Sequence, residues 1–162
     1  MNEFFNFLLY NLGLNMYNLQ MAQNIIIIDD KLENIKVASL VLSKEGYNVF
    51  SGFSVKEGLT LMKKHKMSLI LMDVMMPDID GFKGVQLIKE DKNLRCIPII
   101  MLTALSEKNH VIKAIKVGAD DYLTKPYNIK DLVEKTKRLT NISAFIERWC
   151  ANTVLLDDII LD

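Results

Sequence analysis

Histidine and cysteine are scarce in this chain of 162 residues, two of each, and their placement excludes several chemistries. Cys96 and Cys150 stand far apart, in none of the short spacings of tetrahedral metal sites, and read as reduced thiols of a cytoplasmic protein. His65 and His110 are equally isolated and read as surface helix residues rather than ligands. An excess of one charge is also lacking, since 20 basic and 20 acidic side chains cancel. Even residues 21–140, with 19 basic side chains against 15 acidic, are too mildly positive to argue for nucleic acid. No membrane span is expected: the opening "MNEFFNFLLYNLGLNMYNLQ" repeats asparagine too often and lacks the basic start of a signal peptide. Residues 1–20 read as an amphipathic extension, or as sequence upstream of a start at Met21. No internal repeat or low-complexity linker is present.

What the chain has instead is alternation. "NIIIID" (24–29) is continuous and β-branched, the mark of a strand buried on both faces. "KLENIKVASLVLSKEG" follows, with Leu32, Ile35, Ala38 and Leu42 near helical spacing and Gly46 as its stop. "YNVF" (47–50) is a short strand. "SVKEGLTLMKKHK" opens with Ser54 and Glu57 in capping-box spacing and lines up Val55, Leu59 and Met62. "SLILMD" (68–73) is a buried strand and 81–92 a helix. "IPIIMLT" (97–103) is a strand, and "SEKNHVIKAIKVG" a helix capped by Ser106 and stopped by Gly118. "DDYLTKP" (120–126) supplies a fifth strand and "NIKDLVEKTKRL" a last helix, with Ile129, Leu132, Val133 and Thr136 inward. Strands alternating with helices through short connections predict an α/β fold, a parallel sheet covered on both faces. Residues 141–162, with four acids against one arginine, break this pattern and read as an acidic, apolar tail after a domain at 21–140.

Asp73 closes the apolar run "LILMD", and a charge at the end of a buried strand needs a partner or a function. In open α/β sheets, ligands bind beyond the carboxyl ends of the strands. Those ends carry Asp29 and Asp30, Asp73, Thr103 and Lys125. Singly, each has a plain explanation: an acid caps a helix, a threonine sits in a turn, a lysine is solvated. Together they make a set. Three carboxylates in one pocket repel unless a cation neutralises them, and oxygen-only ligands favour a hard ion such as Mg²⁺. A hydroxyl and an ammonium opposite that ion complete a site for a tetrahedral anion, as phosphoryl transfer requires.

"IIIIDD", "LILMDVMMPDIDGF", "IPIIMLTA" and "GADDYLTKP" resemble the signature segments of bacterial response-regulator receiver domains, in family order and at family spacing, over residues 24–140. The resemblance implies a flavodoxin-like, doubly wound five-stranded sheet of order 2-1-3-4-5. It implies Asp73 as acceptor of a phosphoryl group from a histidine kinase or histidine phosphotransfer protein. Asp29 and Asp30 match the Mg²⁺-binding pair, with Asp73 and the backbone carbonyl of Met75 completing the protein ligands. Thr103 and Lys125 match the switch hydroxyl and the phosphate-pairing lysine, and Tyr122 the aromatic whose inward or outward rotamer reports phosphorylation. Lys125–Pro126 matches a cis peptide of the family. Such a protein is a phosphoacceptor switch rather than an enzyme. Met75 and Leu105 match positions bordering the water approach; both are bulky and apolar, which implies slow self-dephosphorylation.

Other readings fit less well. Hydrolases of the haloacid dehalogenase type place a second acid two residues after the nucleophile, where this chain has Met75. A flavin carrier would need a hydroxyl- and glycine-rich phosphate loop where "DDKLEN" stands. A pseudo-receiver acting purely by binding is disfavoured because every site residue is present. The wording is nearest to receivers joined to diguanylate cyclases, yet no "GGDEF"-like segment or helix-turn-helix follows residue 140. The chain then reads as a stand-alone receiver acting on a downstream protein, without direct DNA binding and with a phosphorylation-dependent homodimer allowed, or as a remnant of a longer regulator.

Overall fold

In the computed structural model, residues 23–104 and 108–160 are described. Five parallel strands form one sheet: β1 (Asn24–Ile28), β2 (Asn48–Gly52), β3 (Leu69–Asp73), β4 (Ile99–Thr103) and β5 (Asp121–Thr124). Their order is β2-β1-β3-β4-β5, the doubly wound order expected. Five helices connect and follow them: α1 (Leu32–Lys44), α2 (Val55–Lys64), α3 (Gly81–Glu90), α4 (Lys108–Val117) and α5 (Ile129–Ile160).

The four isoleucines of β1 show why the central strands are uniformly apolar. All are fully buried, and they alternate between two cores. Ile26 and Ile28 join Val55 and Met62 of α2, Phe82, Val85 and Ile88 of α3, and Ala114 of α4. Ile25 and Ile27 join Ile35, Ala38 and Leu42 of α1 and Leu132 of α5. A strand covered on both faces cannot alternate in polarity. Each such side chain contributes about 1.5–3 kcal/mol relative to exposure, so the edge where β1 and β3 end is rigidly anchored.

Local signals set the connections. The Ser54 hydroxyl accepts from the Glu57 backbone N–H (3.2 Å), while the Glu57 carboxylate accepts from Phe53 N–H (2.7 Å), one residue before the cap. Asp80 caps α3 by accepting from Lys83 N–H at 2.7 Å. Gly46 and Gly118 stop α1 and α4 with φ of 91° and 95°, a conformation costly for other residues. The Lys125–Pro126 peptide is cis.

Four expectations need correction. β2 starts one residue later than predicted and runs on to Gly52, because pairing with β1 continues through Ile28↔Gly52. Leu32 and Ile129 are exposed, 44% and 54%; each is the first residue of its helix, with no preceding turn beside it to shield it from solvent. Residues 141–160 do not interrupt the last helix, which is a single segment of 32 residues. They contain neither proline nor glycine, so nothing in them breaks helical geometry despite the change in charge. His65 follows α2 as its C-cap rather than lying within it, and its ring packs on Phe50 with centroids 4.7 Å apart. Ser106, Leu105 and residues 1–20 lie outside the described residues.

Candidate functional site

Because all five strands run parallel, their last residues meet at one edge. Asp73 ends β3, beside Leu102 of β4, and Thr103 ends β4, beside Thr124 of β5. The ladder runs on past the strands: Asp29 N–H donates to Gly52 O (3.2 Å), Val74 N–H to Leu102 O (2.9 Å) and Lys125 N–H to Thr103 O (2.6 Å). The side chains there are therefore held by the sheet itself rather than by free loops. Asp29 is completely buried, and Asp73 and Thr103 are 4% exposed.

Asp29, Asp30 and Asp73 each place a carboxylate oxygen within 4.8 Å of the others. Lys125 reaches in from β5, its Nζ 2.6 Å from both Asp29 Oδ2 and Asp73 Oδ1. Three carboxylates against one ammonium leave two negative charges to be offset. Burial, opposed by the Lys125 contact and reinforced by Asp29 and Asp30, holds the Asp73 carboxyl above the usual carboxylate range. Burial would lower the Lys125 ammonium, but its hydrogen bonds to Asp29 and Asp73 win and hold it above the usual lysine value. Asp30 Oδ1 is buried with no hydrogen-bond partner. A hard divalent cation suits this donor set: it balances the two charges and takes the orphaned oxygen as one of its ligands.

The remaining residues take different places. Met75 is 64% exposed at the rim. Tyr122 faces solvent, 37% exposed, with Lys135 Nζ 5.8 Å from its ring centroid. Lys135 also donates to Asp121 Oδ1 at 2.7 Å, and Arg138 holds the other Asp121 oxygen. Two contacts were not singled out from sequence. Asn34, in the first turn of α1, donates its side-chain amide to both oxygens of Asp29; the signal was a polar residue five positions after a strand-end acid. Gly81 packs against the backbone of Asp73, where an added Cβ would lie 2.1 Å from the Asp73 carbonyl oxygen.

Comparison with known proteins places this geometry. Residues 25–137 match the family model described as "Response regulator receiver domain". Among curated proteins, the regulatory protein VanRc of Enterococcus gallinarum is 34% identical over 117 residues, covering 72% of this chain and 49% of its own. The DNA-binding dual master transcriptional regulator RpaA of Synechocystis is 35% identical, covering 71% of this chain and 48% of its own. The chain thus spans about half the length of such relatives. Among solved structures, a putative response regulator from Chloroflexus aurantiacus superposes with a TM-score of 0.72 at 30% identity, over 74% of this chain and 98% of that one. A chemotaxis protein, CheY4, of Vibrio cholerae gives a TM-score of 0.70 at 27% identity, over 73% and 98%. Sequence, sheet order and the acidic strand-end pocket agree, and the chain belongs to the response regulator receiver domain family of two-component signalling.

Proposed function

We propose that the receiver unit, residues 21–140, takes a phosphoryl group on Asp73 from a phosphohistidine and passes the change to its outer face. The observation that carries this reading is the strand-end pocket in which Asp73, Asp29, Asp30 and Lys125 converge. In the transfer, an Asp73 carboxylate oxygen forms a bond to phosphorus as the phosphorus–nitrogen bond breaks, and the electron pair leaves with the imidazole. Lys125 balances charge on the phosphoryl oxygens. Thr103, at the end of the neighbouring strand, offers its hydroxyl to one of them. Asp29, Asp30, Asp73 and the Met75 carbonyl would hold Mg²⁺, which when bound neutralises charge building up on the phosphoryl oxygens.

Tyr122 and Thr103 serve as the switch, coupling the pocket to the face made by α4, β5 and α5. Phosphorylation need only bias an existing equilibrium by the difference in phosphoryl contacts between two states. The protein is thus a phosphoacceptor with Mg²⁺-dependent self-phosphorylation. Met75 at the rim carries no group able to orient a water, which supports slow self-dephosphorylation and suits a relay intermediate or a sustained signal.

The donor is a histidine kinase or histidine phosphotransfer protein, and the target a downstream protein met by docking, a second copy included. Direct DNA binding is not expected of these residues, although the curated relatives RpaA and VanRc carry regulatory names and extend well beyond the matched region. Among the described residues no helix is long and apolar enough to cross a membrane, in keeping with a cytoplasmic setting. The reading is tested with acetyl phosphate as donor: Mg²⁺ should be required for uptake of one phosphoryl group, and Asp30→Ala should slow it and weaken Mg²⁺ binding. Uptake at the wild-type rate in chelator would reject the cation's role.

A further inference from the structure

Asp29 and Asp30 are adjacent in sequence and opposite in circumstance. Asp29, fully buried, accepts from the Lys31 backbone N–H at 2.9 Å and from Lys125 Nζ at 2.6 Å. It also accepts from the Asn34 side-chain amide on both oxygens, at 3.0 and 2.9 Å. Asp30 has a buried oxygen without any partner. One carboxylate is saturated with donors while its neighbour is left open.

Lys125 cannot keep serving Asp29 in its present way. Its ammonium has three protons, two of them directed at Asp29 and Asp73. Once Asp73 carries a phosphoryl group, the lysine must turn toward the new oxygens. Asp29 then depends on donors from its own side of the pocket, which are Lys31 N–H and Asn34. A neutral amide is the suitable chemistry there. Lysine or arginine at position 34 would hold Asp29 equally well but would cancel part of the negative charge that attracts a divalent ion. Nor is the amide engaged in capping its own helix: α1 begins after Lys31, whose side chain makes no cap hydrogen bond, and both Asn34 contacts go to Asp29.

We propose that Asn34 is a positioning residue of the cation pocket, whose carboxamide clasps Asp29 and keeps its carboxylate aimed into the site before and after phosphorylation. This rests on the reading of the three acids as a Mg²⁺ site. Partners of this kind, one bond removed from the ion, set ligand orientation, and their loss costs about 10–100-fold in metal affinity.

The test is a Mg²⁺ titration of the full chain, without phosphodonor, followed by backbone amide chemical shifts of residues 29–31 and 73–75. Wild-type protein is compared with Asn34→Leu, of similar bulk without a donor, and Asn34→Gln, which keeps the carboxamide; Asn34→Ala repeats the first arm should the leucine variant fail to fold. Affinity falling about tenfold or more without the donor, and staying within about threefold with Gln, is the result expected. Unchanged affinity in the leucine or alanine variant, even alongside a lower melting temperature, marks a purely structural bond and overturns the proposal. Equal losses in the Gln and Leu variants overturn it too, because the carboxamide would then not be what matters. A wild-type protein that shows no response to Mg²⁺ would defeat the cation reading itself, and is recognisable before any substitution is made.

Discussion

Lys125 Nζ and Asp73 Oδ1 lie 2.6 Å apart, joining the end of β5 to the end of β3 across the intervening strand β4. The same ammonium binds Asp29 at the same distance, so one lysine holds the pocket closed against the repulsion of its acids.

Lys125→Met should therefore destabilise the protein in the absence of Mg²⁺, by about 3–5 kcal/mol, the usual cost of removing one partner from a buried ion pair. Part of that loss should vanish when Asp73 is replaced as well, since one of the two carboxylates that Lys125 binds is then gone, while Asp29 keeps its bonds from Lys31 N–H and Asn34. Denaturant midpoints of the two single variants and the double variant give the coupling. Strictly additive effects would deny the interaction.

The raised Asp73 carboxyl gives a pH dependence of definite sign. Its folded value lies above its unfolded one, so the native state binds this proton more tightly. Stability from this group is full below the ordinary carboxylate range and is lost as pH rises through the raised folded value. Asp73→Asn removes that loss. In metal-free solution the variant should gain stability relative to wild type as pH rises from 4 toward neutrality. Parallel pH profiles for the two proteins would show that Asp73 carries no such penalty.

Gly81 offers a test of how closely α3 is fitted to the acceptor. An added methyl group would lie 2.1 Å from the Asp73 carbonyl oxygen, with backbone atoms of Asp73 and Val74 next nearest at 2.9 Å. Backbone cannot give way as a flexible side chain does. Gly81→Ala should cost about 1–3 kcal/mol and slow phosphorylation, whereas the same change at Gly46, with nothing within 4 Å of an added methyl, should be felt only through its positive φ. Equal phosphorylation rates in the Gly81 and Gly46 variants would count against the fit.

Lys135 binds Asp121 and stands over the solvent-facing ring of Tyr122, favouring the outward state of that ring. Lys135→Met should shift the ring inward and ease the change in α4, β5 and α5 on phosphorylation. Amide exchange on that face should respond to phosphodonor in wild type, and the variant should already lie part of the way along the change. A response confined to other surfaces would reject this face as the output.

Much of this was legible in the sequence for a physical reason. Strands such as "NIIIID" are unambiguous because burial on both faces demands uninterrupted β-branched side chains, and parallel topology then carries Asp29, Asp73, Thr103 and Lys125 to one edge. Other features depend on relations that local sequence does not encode. The exposure of Ile129 follows from its place as the first residue of α5, a boundary that apolar spacing alone does not fix. The clasp of Asn34 on Asp29 depends on how α1 leaves β1, and the outward ring of Tyr122 on a contact with Lys135, thirteen positions further on. The length of α5 escaped because the charge pattern changes at residue 141 while the backbone propensity does not.

Asp73 as phosphoacceptor is tested most directly by intact-mass measurement with Mg²⁺ and acetyl phosphate. Wild-type protein should gain the mass of one phosphoryl group, lost again on acid treatment, while Asp73→Asn, folded by circular dichroism, should gain none. A phosphoryl adduct of equal yield in the Asp73→Asn protein would contradict the account.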